Sequence, residues 1–176
     1  MKKYVASTPA AQVIGRALQA YDQAIERDAF EHVLLEYGLA VIDPSVWYPQ
    51  QLTLDVQRAI KTSAGGMMAL VSVGMKIIDS AIFPPIASLA EAVDVFAASY
   101  PMNFRDQADQ DTIRATRLSE RHIQVVNASP HSDDMIYGYV YALIRRFGGH
   151  LHPTVIFEDY TQCDSDADTL FNVIWD

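Results

Sequence analysis

The 176-residue chain has a single cysteine, Cys163. It can close no internal disulfide and cannot supply a multi-cysteine zinc site. Basic residues are also scarce: 13 Lys and Arg stand against 22 Asp and Glu, for a formal net charge of −9. That balance excludes a nucleic-acid phosphate backbone as the main partner and argues equally against an anionic membrane surface. No apolar run is long enough to span a bilayer. The most apolar stretch starts at Ala64 and meets Lys76 and Asp79 short of the roughly 20 residues required. Behind Lys2 and Lys3, residues Ser7, Thr8, Pro9, Gln12 and Arg16 interrupt any signal-peptide core, so the expected location is the cytoplasm. With 8 Gly and 8 Pro, the chain has no flexible linker, and no internal repeat is visible. A phosphate loop, a dinucleotide fingerprint and a G-x-S-x-G elbow are all missing.

What is present is core material, with 50% of residues hydrophobic and 10% aromatic. The first half reads as helix. Thr8-Pro9 resembles a cap followed by a first-turn proline, with Ile14, Leu18, Tyr21 and Ile25 spaced as one helical face. Asp28 and Glu31 suggest a capping box for a second helix carrying Phe30, Leu34 and Tyr37, ended by Gly38. A third helix places Leu52, Val56, Ala59 and Ile60 together. From Ala64 to Ala81 the residues leave almost no polar face, which requires enclosure by other helices or by a partner subunit. Gly66 and Gly74 lie on roughly one side of that helix and admit a close neighbour. Ser88 and Glu91 form another capping box, opening a helix with Leu89, Val93, Phe96 and Tyr100 inward, and Pro101 stops it.

Beyond Arg105 the pattern shortens. Thr112–Leu118 and His122–Ala128 read as a hairpin, and Ser129-Pro130 opens a helix with Ile136, Val140, Leu143, Ile144 and Phe147 inward. Two strands follow, Thr154–Tyr160 and Thr169–Trp175. The last is apolar on both faces and so reads as central or well covered. The expected fold class is α+β: a helical amino-terminal part followed by a β-β-α-β-β antiparallel sheet packed on helices. The chain is expected to form one domain over 1–176, with a helical subregion at 1–104 and a sheet subregion at 105–176.

Several polar clusters offer chemistry. His131-Ser132-Asp133-Asp134 could bind a metal or act as a general base, but the same residues suit the first turn of a helix. With His150 and His152 they would supply a metal-dependent hydrolase. Asp164, Asp166 and Asp168 alternate like a calcium loop, yet Thr169 and Trp175 stand where Gly and Glu are needed, so the motif fails. Cys163 has acidic neighbours that raise a thiol pKa. Arg114, Arg117 and Arg121 gather positive charge on an acidic chain, suited either to a carboxylate ligand or to pairing with Asp106, Asp109 or Asp111.

The order of these elements resembles the H-NOX (heme-nitric oxide/oxygen binding) domain and the wider superfamily of 4-vinyl-reductase-type ligand-binding domains and TRAPP trafficking subunits. Residues 88–101 (SLAEAVDVFAASYP) look like the family's proximal helix, which ends in Tyr-Pro, here Tyr100-Pro101. The run Arg117-Leu118-Ser119-Glu120-Arg121 looks like the Tyr-x-Ser-x-Arg motif that holds heme propionates, with Arg117 in place of Tyr. Ile136 to Trp175 follow the family's closing helix, strand, acidic turn and strand. Counted back from Tyr-Pro, the place of the axial histidine falls on Val93, and no histidine lies between His32 and His122.

The resemblance therefore implies a non-enzymatic sensory or regulatory domain whose pocket has lost conventional heme ligation, leaving its cofactor undefined. The expected occupant is a small hydrophobic ligand, with or without a carboxylate. Leu70, Met75, Val93 and Phe96 would line the pocket, and Arg117, Ser119 and Arg121 would meet the polar end. Met67, Met68 and Met75 suit an adaptable wall. A ligand-free dimerisation or scaffold module, with the apolar helix as its interface, is the alternative. A homodimer or a signalling partner is expected either way.

Overall fold

Residues 12–14, expected inside the first helix, are extended. The computed structural model describes residues 3–149, 154–159 and 169–175, the second of these stretches through its backbone. Strand β1 (Gln12–Ile14) pairs antiparallel with β2 (Trp47–Pro49) on one side and β3 (Phe104–Arg105) on the other. Helix α1 (Gly15–Gln23) starts only afterwards. Its first amides are taken by the backbone of the following turn, Gly15 N–H donating to Val46 O at 2.8 Å and Arg16 N–H to Pro44 O at 3.0 Å. A β-carbon on Gly15 would stand 1.9 Å from Asp43 O, so only glycine admits this turn. The expected cap, Thr8, instead donates its hydroxyl to Asp106 O at 2.5 Å. Leu18 and Tyr21 face inward as read, whereas Ile25 lies past the helix end and is exposed.

Helix α2 (Arg27–Glu36) buries Phe30, Val33 and Leu34. Asp28 makes no cap, the first turn being braced by the Arg27–Glu31 pair at 2.7 Å, and Gly38 at φ +73° turns the chain out. Helix α3 (Gln50–Thr62) buries Val56 and Ile60, together with Leu54 and a polar row, Gln50, Thr53 and Gln57. Helix α4 (Gly66–Ser80) is packed by α1, α2, α3 and α6 (Asp133–Phe147). Gly74 and Gly138 meet where α4 and α6 cross. A β-carbon on Gly74 would lie 2.0 Å from Met135 O, and one on Gly138 2.3 Å from Val71 O. Gly66 is equally tight, against Ile60 O at the end of α3. Met67 and Met68, on the remaining side of α4, stay more than half exposed.

Helix α5 (Leu89–Ser99) has the capping box read from the sequence. Ser88 Oγ accepts from Glu91 N–H at 3.2 Å, and Glu91 reaches back to Ala87 N–H at 2.7 Å. Leu89, Val93, Phe96 and Tyr100 are buried, and Pro101 falls in a 3₁₀ turn, Tyr100–Asn103. The second sheet runs β4 (Ile113–Ser119), β5 (His122–Asn127), β7 (Thr169–Trp175), β6 (Thr154–Asp159), all antiparallel. β7 is central, as its two apolar faces require. Ser129-Pro130 precede α6 but do not open it, since the helix starts at Asp133. Side chains of both sheets and of helices α1 to α6 share one buried cluster, so the fold is α+β.

Candidate functional site

The seven residues expected to contact a ligand fall into three places. Leu70, Val93 and Phe96 lie inside the core at 0%, 2% and 7% exposure. There the Phe96 ring meets Tyr139 edge-on, with centroids 5.1 Å apart. Met75 is half-buried on the outer flank of α4, lining a cavity of about 560 Å³ with Met67, Met68, Val71, Tyr137 and Tyr141. Arg117, Ser119 and Arg121 are exposed around the β4–β5 turn, where Arg121 N–H donates to Ser119 Oγ at 3.2 Å.

Arg117 nevertheless reaches α5. It lines a cavity of about 380 Å³ with Ser88, Leu89 and Ala90, and with Phe147 at the end of α6 and Trp175 at the end of β7. Glu120 stands at the same cavity. Arg117 donates through Nε to Ser119 O at 3.2 Å, and among the described residues neither it nor Arg121 makes the expected ion pair with Asp106, Asp109 or Asp111. Asp111 is buried and accepts the Ser7 hydroxyl at 2.5 Å. The first amides of α5, those of Leu89 and Ala90, have no helical carbonyl to donate to, and they add the positive end of the helix dipole to the guanidinium. Leu89, at this cavity, lies on the same helix face as Val93 and Phe96. Sequence reading missed Leu89, Phe147 and Trp175 as lining residues. The capping box at Ser88 was the available signal, because it marks where unpaired amides lie.

The described histidines can each be assigned. His32 is exposed on α2. His122 Nε2 bonds Asn172 Oδ1 at 2.8 Å. His131 is 3% exposed and flanked by Tyr100 and Phe104, with ring centroids at 6.3 and 5.4 Å. Burial, reinforced by Lys3, pushes its pKa down to about 3, so it is neutral. Its tautomer follows from its neighbours. Ser132 N–H donates to Gln57 Oε1 at 3.0 Å, so the Gln57 amide nitrogen must face His131 Nδ1, 2.8 Å away. Nδ1 is then the acceptor and the proton sits on Nε2, which has no partner among the described residues. Ligation through Nε2 needs the opposite arrangement, with a free Nε2 lone pair and an acceptor at Nδ1, and ligation through Nδ1 would displace Gln57. Val93 offers no lone pair at all. Neither Val93 nor His131 thus presents a free nitrogen lone pair for axial iron ligation.

Nor do His131, Asp133 and Asp134 converge on a metal. Asp133 holds Asn127 at 2.7 Å and Lys3 at 3.0 Å, Asp134 pairs with Lys61, and no metal-binding trio occurs among the described residues. His150, His152, Cys163 and the Asp164–Asp168 turn lie outside the described residues. No described helix is long and apolar enough to cross a membrane.

No protein-family profile and no curated protein matches the sequence. Solved structures do. The chain is similar to an H-NOX protein from S. oneidensis in its Fe(II)NO state, with TM-score 0.61 and 8% identity over 93% of this chain and 99% of that one. It is similar to a mutant of the T. tengcongensis H-NOX, with TM-score 0.60 and 13% identity over 91% and 93%. An oxygen-binding H-NOX domain related to soluble guanylate cyclases matches with TM-score 0.59 and 14% identity over 92% and 91%. The fold is H-NOX-like; at such identities the likeness is one of fold.

Proposed function

We propose that the chain is a non-enzymatic sensory or regulatory domain that binds a small apolar ligand bearing an anionic group, without an axial iron–histidine bond. The observation that carries this reading is the cavity at the start of α5, where Arg117 and free helix amides stand over Leu89, Phe147 and Trp175. Guanidinium and first-turn amides suit a carboxylate or phosphate. The apolar walls suit a hydrophobic body, with Val93 and Phe96 deeper along the same helix face. The H-NOX-like fold supports a sensory role. Valine at position 93 supports the absence of iron ligation.

Native mass spectrometry of protein taken directly from cells tests this reading. A bound mass of a few hundred daltons, lost in Arg117→Ala, is the expected result. Anilinonaphthalene sulfonate, an apolar anion, should quench Trp175 and bind at least tenfold more weakly to the same variant. A stoichiometric Soret band on adding hemin, abolished by replacing one histidine, would overturn the proposal.

A second reading, a ligand-free dimerisation module, is favoured by the exposure of Met67, Met68 and Tyr141 beside the larger cavity. Sedimentation of Met68→Glu separates the two: a dimer that dissociates in this variant, with no bound mass in the wild type, selects the module.

A further inference from the structure

The other end of α5 borders a groove of different chemistry. It holds about 500 Å³ between α1, the end of α4 and the 3₁₀ turn after α5. Its apolar part is Ile77, Ile82 and Met102, and the last two are 99% and 70% exposed. Ile82 is nevertheless fixed in place. Arg146 donates to Ile78 O at 2.7 Å and Ala81 O at 2.9 Å, holding the backbone that leads into Ile82, and its guanidinium lies 5.0 Å from the ring centre of the next residue, Phe83. A side chain held out in water by a braced backbone costs little conformational entropy when it binds.

The polar part of the groove is Arg16, Gln19, Gln23, Ser80, Ser99 and Asn103. Among the described residues no acidic side chain lines it, although the chain carries nine net negative charges. Arg16 is exposed, and among the described residues it makes no ion pair and the side-chain amides of Gln19, Gln23 and Asn103 make no hydrogen bond. An uncommitted cation, uncommitted amides and two projecting apolar side chains define an occupant by complementarity.

We propose that this groove docks an amphipathic helix of a partner protein that presents large apolar residues with an acidic side chain beside them. Ile82 and Met102 would interdigitate with its apolar face, and Arg16 would meet its carboxylate. This assignment does not depend on the ligand reading above.

Fluorescence anisotropy with two labelled 18-residue amphipathic peptides tests it, one with Glu and one with Lys flanking the same Leu face. The Glu peptide should bind the wild-type chain at least tenfold more tightly than the Lys peptide. Arg16→Glu should invert that preference, a swap that misfolding cannot imitate. Ile82→Asp should weaken the Glu peptide at least tenfold while leaving the thermal transition in place. Failure of the Glu peptide to bind at millimolar concentration would overturn the proposal. So would binding indifferent to Arg16→Glu, or sedimentation showing that Ile82→Asp dissolves a homodimer.

Discussion

Helix α6 is held at two places by opposite means. At its middle, Gly138 lies against Gly74, two backbones in contact with no side chain between them. At its start, Gln57, His131, Ser132 and Asn127 form a buried hydrogen-bond network reaching Ser129 and Asp133. The glycine contact is set by shape and has no protons to rearrange. The network is set by donor and acceptor roles, each fixed by the next, and it leaves His131 Nε2 without a partner among the described residues. Substitutions at the first act through sterics regardless of solution conditions. At the second, pH and chemistry of equal size matter.

The largest effect is expected at the glycine contact. Gly138→Leu drives a β-carbon onto Val71 O, a backbone atom that no rotamer change can move. A loss of about 4 kcal/mol or more is expected, seen as a missing or broadened thermal transition by circular dichroism. Gln57→Leu is smaller in kind. It leaves Ser132 N–H and His131 Nδ1 without partners in the interior, and urea unfolding should report a loss of roughly 2–4 kcal/mol. Gln57→Glu sharpens the test, because a carboxylate accepts from both neighbours and moves the imidazole proton to Nδ1. Nitrogen chemical shifts of His131 should show that tautomer change.

Of these two places, acid should act on the network and not on the glycine contact. His131 has a folded pKa near 3 against an ordinary value of 6.5, so between these limits the unfolded chain binds the extra proton. Stability is therefore fully present above about 6.5 and falls as pH drops below it, by about 2 kcal/mol between pH 6.5 and 5. His131→Gln should flatten this slope, and Gly138→Ala should not. The smallest effect is at Asp111, whose carboxyl is raised by burial, with the Ser7 hydroxyl working against that shift. Its folded form keeps the proton longer than the unfolded form, so it removes stability as pH rises past the ordinary carboxyl range. Asp111→Asn should gain under about 1 kcal/mol at pH 7 and nothing in strong acid.

Most of the fold was legible where the signal was local. The capping box at Ser88, the two-faced apolar pattern of Thr169–Trp175 and the stripe on α6 each named their element. The amino-terminal sheet was not legible. Its strands are two or three residues long, and β1 gains its partners from residues 47–49 and 104–105, a pairing that no local period encodes. That non-local pairing also displaced the apparent Thr8-Pro9 helix start. For the site, the apolar positions on α5 were readable from spacing. The cavity at the start of that helix was legible only in Arg117, because Phe147 and Trp175 join it from other elements that converge only once the sheet has formed. The methionines were expected as a wall, and Met67, Met68 and Met75 do share one cavity, on the outside of α4.

The position of β7 has a consequence for biosynthesis. It lies between β5 and β6, yet follows both in the chain. As the polypeptide leaves the ribosome, the β4–β5 hairpin must wait with a bare edge, and β6 has no neighbour at all, until Thr169–Trp175 emerge. During that interval the nascent chain offers two unsatisfied strand edges to any other extended segment nearby. Slow translation or chaperone shielding over the region before residue 169 should therefore govern the yield of native protein more than the stability of the finished fold does.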